Sequence, residues 1–217
     1  MILPFRLSRL CRPALPVLLL SCLALTLAAC GQSAPTRYYV LDSGRPGLAA
    51  ASLPTAGLRI AHVGIPGYLD RQGVISRRDG DPLLEVNNFD IWAEPLDQGI
   101  RRVLREVLSP DLLGEGIAVQ NNDDSGWLMA LVVDVLRLDG APGEAVHLEA
   151  RWSLLDSKDH VLARGSFADS ADCPAAQPGA AATGKLVASQ SLLVQRLGQA
   201  LTPEIVRAMR SLRRTND

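Results

Sequence analysis

Histidine is scarce in this chain, three among 217 residues, and His62, His147 and His160 stand far apart with no second histidine or cysteine at ligand spacing. That pattern argues against a zinc site, which draws its ligands from short, characteristic intervals. There is no GxSxG elbow and no P-loop; the nearest glycine-rich string, LLGEGIAV at 112–119, lacks the third glycine and the lysine and reads as a loop before a strand. Excess charge is missing too, with a formal net charge of −1. A nucleic-acid binder would show a basic surplus, so that class is set aside. No internal repeat and no sustained heptad occurs, which excludes solenoids and coiled coils. Asp134, Asp139, Glu144 and Glu149 could mimic a carboxylate pair, but along alternating strands they read as acids on a solvated sheet face. Long apolar runs are also absent, with one exception at the start.

That exception is Ala14–Ala29, apolar apart from Ser21 and Thr26 and preceded by Arg6, Arg9 and Arg12 without any acid. A basic segment followed by an apolar stretch of this kind is a secretory signal. It is shorter than the roughly twenty residues needed to cross a bilayer core as a helix. The run ends in Leu27-Ala28-Ala29-Cys30, small residues that fit a signal-peptidase cleft and then a thiol able to carry a lipid. This tetrapeptide resembles the lipobox of bacterial lipoproteins. The resemblance implies a mature chain beginning at Cys30, with diacylglycerol on sulfur and a further acyl chain on the amine; two or three chains hold a protein on a membrane almost permanently. Gly31 rather than Asp follows the cysteine, which by the usual sorting rule points to the outer membrane.

Removal of residues 1–29 leaves 188 of the 217 residues, enough for one domain, and shifts the charge to −4 because three arginines leave with the signal. Cys11 and Cys22 leave as well and Cys30 is acylated, so Cys173 is the one free thiol and no intrachain disulfide forms. Cys173 lies in SADCPAAQPG, read as loop.

After the tether, residues 30–36, the single domain is expected over 37–213. RYYVLD at 37–42 and LRIAHV at 58–63 are rich in strand formers, with a Gly/Pro/Ser/Ala connection over 43–57. Gly73–Arg78 and Pro82–Val86 flank Asp79-Gly80-Asp81, a hairpin signal because glycine tolerates positive φ. The period then changes. Leu96, Ile100, Val103, Leu104, Val107 and Leu108 share one helical face, so a helix is expected over 95–108, opened by Pro95 and closed by Pro110. Strands are expected at 117–120, 127–138, 147–155 and 161–167, the last three as an antiparallel meander, followed by a loop over 169–183. Leu186, Ser189, Leu193, Leu197 and Ala200 define a second helix from 185 to 201, with Thr202-Pro203-Glu204 capping a continuation and RRTND fraying. The order predicts an α+β fold in two layers, two main helices packed on one mostly antiparallel sheet. Trp92 is expected to staple the first helix, and Trp127 and Trp152 to be core. Tyr38 and Tyr39, adjacent on a strand, point to opposite faces.

YYVL soon after the cysteine, YLDRQGVISR, the W-A-E-P-L-D turn into a helix, and the meander with its C-terminal helix together resemble the ABC-type transport auxiliary lipoproteins, the family of the PqiC-like intermembrane transport lipoproteins. The resemblance implies a non-enzymatic component of a lipid-trafficking system that faces the periplasm from the outer membrane. Its implied partners are an MCE-domain protein and an inner-membrane permease, and a ring-shaped homo-oligomer is implied as a docking collar. No cofactor is implied beyond the lipid on Cys30. The charged hairpin suggests contact residues: Arg71, Arg77, Arg78, Asp79 and Asp81, with Tyr38 and Tyr39 near the tether as further candidates. A rival reading is a lone lipid- or glycan-binding lipoprotein with an apolar cavity. A hydrolase would need a nucleophile and base at workable spacing, which the sequence does not offer.

Overall fold

A computed structural model describes residues 34–44, 54, 56–120 and 126–216. Cys30, the signal segment and most of the 43–57 connection lie outside them. The apolar stripe of the first helix sets the architecture. Helix α1, Leu96–Gly114, turns Ile100, Leu104, Leu108 and Leu112 fully inward, each contributing roughly 1.5–3 kcal/mol by burial. Pro95 is its N-cap, with φ −52° and ψ 136°, and its carbonyl accepts from Gly99 N at 3.0 Å. The expected stop at Pro110 is overturned, because the helix runs through it to Gly114. An interior proline costs about 3 kcal/mol, but stopping there would leave Leu112, fully buried, out of the core. Gly116, at φ +72°, ends the helix in the left-handed region.

The strands form two sheets rather than one, and both are mixed. β1 (Arg37–Tyr39), β3 (Gly73–Ser76) and β4 (Glu85–Trp92) make a small sheet in the order β1-β4-β3, with β1 parallel to β4. β2 (Ala56–Gly64), β5 (Ile117–Gln120), β6 (Met129–Gly140), β7 (Ala145–Asp156) and β8 (Val161–Asp172) make a larger one in the order β5-β2-β6-β7-β8. The meander β6-β7-β8 is antiparallel as expected, while β2 is parallel to both β5 and β6. Parallel partners far apart in sequence leave no local signature, since no turn joins them.

β8 continues to Asp172, so the loop expected over 169–183 shrinks to 173–179, and helix α2 already begins at Ala180. It continues unbroken to Asn216, through Pro203 and into the tail expected to fray. Its buried stripe explains the continuity: Leu193, Leu197, Leu201, Ile205 and Met209 recur at steps of four on both sides of the proline, each at most 1% exposed. Both helices pack on the large sheet and on each other, Gly198 of α2 admitting Val107 of α1 so closely that a Cβ would lie 2.8 Å from its Cγ1. Cys173 is buried, and burial pushes its thiol up.

Candidate functional site: the hairpin seat and the first strand

The hairpin forms where it was expected, displaced by a few residues: β3 is antiparallel to β4, with Ser76 opposite Glu85. Arg78–Asp81 closes as a four-residue turn, Asp81 N donating to Arg78 O at 3.1 Å, with Gly80 at φ +74° where a side chain would strain the backbone. This turn is not free in solvent. Arg77 N donates to Gly140 O at 2.9 Å, and the Arg77 guanidinium reaches Asp139 at 2.9 to 3.2 Å. Arg137 Nε donates to the same carboxylate at 2.8 Å and Tyr68 Oη at 2.7 Å. Asp79 completes the seat, its backbone N donating to Glu144 at 2.9 Å and its side chain accepting from Arg137 at 3.1 Å. His147 Nε2, which has no hydrogen bond, stands 3.8 Å from Asp79 Oδ1.

Asp139 was expected on a solvated face and is instead fully buried. A bulge between Val135 and Arg137 moves the inward set from odd positions (Leu131, Val133, Val135) to Leu138. Asp139 and Arg137 therefore face outward, where the hairpin covers them. Burial alone would raise the Asp139 carboxyl, but hydrogen bonds from Tyr68, Arg137 and Arg77 outweigh it and hold it below the usual carboxylate range. Burial and the bond to Asp139 push the Tyr68 phenol well up. A carboxylate fixed between two guanidiniums stays ionised at neutral pH, which suits positioning rather than proton transfer.

The second cluster holds the first strand. Arg37 Nε donates to Asp90, whose carboxylate is fully buried and also accepts from Thr183 Oγ1 of α2 at 2.6 Å and from Asn87 Nδ2. Tyr39 packs on the core and donates to Ala180 O at 3.3 Å, whereas Tyr38 is exposed on the other face, as alternation requires. Beyond β1, Arg102 donates to Leu41 O at 2.8 Å while bound to Glu94 at 2.6 Å. Asp42 N donates to Ser191 Oγ at 3.0 Å, and Gln195 Nε2 to Asp42 O at 2.7 Å. Residues 37–44 are thus clasped by β4, α1 and α2 together.

Of the candidate contact residues, the fold brings Arg77, Arg78 and Asp79 into one seat; Arg78 is exposed, with Glu144 at 3.4 Å. Asp81 accepts from Leu83 N at 2.8 Å, Arg71 is exposed on the approach to β3, and Tyr38 and Tyr39 lie apart on β1. Between the hairpin and the start of α2 is a cavity of about 300 Å³, rimmed by Arg77, Arg78, Asp81 and Glu85 and floored by Val74 and Leu186. Trp92 is buried at the end of β4 and Trp152 packs on the core. Trp127 departs from expectation: it is only half-buried and lies under the Arg59 guanidinium at 4.1 Å. Among the described residues, no group of three His, Cys, Asp or Glu is placed to hold a metal ion. Nor, among them, is any helix long and apolar enough to cross a membrane.

Comparison with known sequences is decisive. Residues 39–202, which include the hairpin seat and most of the clasp, match the family model described as the ABC-type transport auxiliary lipoprotein component. The chain belongs to that family. The fold of this auxiliary lipoprotein is shared by an uncharacterized protein of solved structure, 22% identical, with a TM-score of 0.63 over 79% of this chain and 99% of the other. It is also shared by protein XCC0632 from Xanthomonas campestris, 16% identical, with a TM-score of 0.64 over 82% and 99%. No curated protein matches the auxiliary lipoprotein.

Proposed function

We propose that the chain is an outer-membrane lipoprotein, anchored through Cys30 and facing the periplasm, that docks an MCE-type intermembrane lipid transporter and supports envelope integrity. The observation that carries this reading is the family match across 39–202, which makes the chain a component of ABC-type transport. The lipobox supplies the anchor and the short Gly31–Thr36 spacer keeps the domain at the membrane. Its work is non-catalytic: it presents a rigid surface to an MCE-domain protein that an inner-membrane permease feeds, and a ring of copies would form a collar around the tunnel's end. Arg71, Arg78 and Tyr38 are the candidate contacts most exposed to such a partner, whereas Arg77 and Asp79 are engaged in seating the hairpin.

The lone-carrier alternative calls for an apolar chamber between sheet and helices. Cavities of about 300, 540 and 890 Å³ among the described residues are each rimmed by charged side chains, Arg77 and Glu85, Asp70 and Glu94, and Glu115 and Arg210 respectively, which favours docking. Complementation of a deletion strain tests the reading. Wild type should restore detergent resistance, Cys30→Ser should abolish membrane retention and rescue, and Arg71→Glu with Arg78→Glu should reduce co-purification of the MCE protein. Rescue by Cys30→Ser at normal expression would overturn the anchor. A monomer carrying stoichiometric lipid in native mass spectrometry would favour the carrier.

A further inference from the structure

β4 overhangs β1. Their parallel register pairs Arg37 with Asp90 and Tyr39 with Trp92, so Glu85–Phe89 lie beyond the start of β1, on the side from which the residues before Arg37 arrive. The overhang carries apolar side chains that the fold leaves in water, Val86 at 44% and Phe89 at 42% exposed, and Leu83, 63% exposed, stands in the loop that leads into it. Tyr38, 69% exposed, is in register with Ile91 on the same small sheet. Exposed apolar side chains that neighbour one another in sequence and strand register are candidates for an interaction surface.

We propose that this overhang, Val86 and Phe89, together with Leu83 and Tyr38, seats in the headgroup layer of a phospholipid bilayer. The proposal rests on the acylation of Cys30. Six residues, Gly31–Thr36, separate that anchor from Arg37 and span at most about 20 Å when extended. The anchored chain therefore holds the overhang beside the surface, and the overhang supplies the chemistry an interface accepts: aromatic rings with a polar or solvated edge and short aliphatic side chains, which settle roughly 5–10 Å deep. Charge takes no part. The exposed Arg78 is outnumbered by Asp79, Asp81 and Glu85 around the same turn, so attraction to anionic lipid does not drive seating, which is expected to persist at high salt and on neutral vesicles. The anchor thus acts as one foot and the overhang as a second, fixing which side of the domain faces the periplasm.

The test uses the full acylated chain carrying Phe89→Cys, labelled with an environment-sensitive fluorophore and reconstituted in phosphatidylethanolamine and phosphatidylglycerol vesicles that contain headgroup-spin-labelled phospholipid. Cys173 is 2% exposed and the Cys30 thiol is consumed by acylation, so the label is site-specific. Arg207→Cys is the control. It lies about 36 Å along α2 from Thr183, and Thr183 shares Asp90 with Arg37. Quenching is expected to be roughly threefold stronger at 89 than at 207, as for a group held in the interface. Equal quenching at the two positions overturns the proposal. So does a label at 89 shielded from aqueous iodide yet untouched by lipid, which would mean that protein covers it, a second copy included. Leu83→Cys, in the loop, repeats the measurement should Phe89→Cys fail to fold. Mass spectrometry of the same sample reports the anchor separately: an acylated Cys30 with position 89 unquenched sinks the seating alone, and an unacylated Cys30 with position 89 quenched sinks the anchor alone.

Discussion

Arg37, the first residue of β1, is ion-paired with the fully buried carboxylate of Asp90 in the adjacent parallel strand β4. Its hydrogen bond, reinforced by Thr183, holds the Asp90 carboxyl below the usual range despite burial. An acid whose folded pKa is depressed binds fewer protons folded than unfolded, so stability rises with pH through that interval. The contribution is complete above about pH 4, the unfolded value, and is lost as pH falls through the folded one. Asp139 acts in the same direction. Chemical denaturation from pH 7 to pH 2 should show stability falling below about pH 4, and Asp90→Asn should flatten that fall. A wild-type curve that stays level would contradict the assignment.

Removing the seat's acceptor is more costly than removing one donor. Asp139→Ala removes the acceptor of the Arg77 guanidinium, of Arg137 Nε and of the Tyr68 hydroxyl, and breaking a buried pair costs about 3–5 kcal/mol. Arg77→Ala leaves Asp139 with Arg137 and Tyr68, so a loss of about 1–2 kcal/mol is expected. Urea unfolding of both variants ranks them, and equal losses would mean that the cluster does not share one acceptor.

Two glycines of α2 should respond in opposite directions. Gly198→Val drives a side chain into Val107 of α1, an overpacking that costs about 1–3 kcal/mol. Gly184 has open space around its Cβ direction and no positive φ, so Gly184→Ala should stabilise the helix by up to about 1 kcal/mol. Thermal melts measure both.

Cys173 is sealed by its surroundings: its N donates to Glu144 O at 2.9 Å and its carbonyl accepts from Gly143 N at 2.8 Å. The thiol should resist a colourimetric disulfide reagent in the folded protein and react on adding urea. Rapid reaction under native conditions would show that the 173–179 loop opens readily.

What the sequence made legible was the local part. The step pattern of Leu96–Leu108, the Gly80 turn and the alternation of the meander each follow from neighbours a few residues apart, and each appears in the fold. What it hid was relational. Nothing near Arg37 announces a parallel partner at Asp90, fifty-three residues on, and Asp139 reads as solvated because its roof, Arg77 and Tyr68, is supplied from elsewhere. Pro110 and Pro203 misled for a related reason, since the buried stripes that carry the helices past them outweigh a local penalty. The hairpin turn lies where its Asp-Gly signal stands, but only the structure distinguishes Arg77, engaged with Asp139, from exposed Arg78.

The clasp on residues 37–44 also sets an order of events. Asp42 is held by Ser191 and Gln195, and Tyr39 by Ala180, across separations of 141 to 153 residues. A chain delivered from its N-terminus offers those partners last, and contacts so distant close slowly. Until α2 has emerged, residues 37–44 lack its partners, so the processing proposed at Cys30 would meet an extended chain, and closure would follow it.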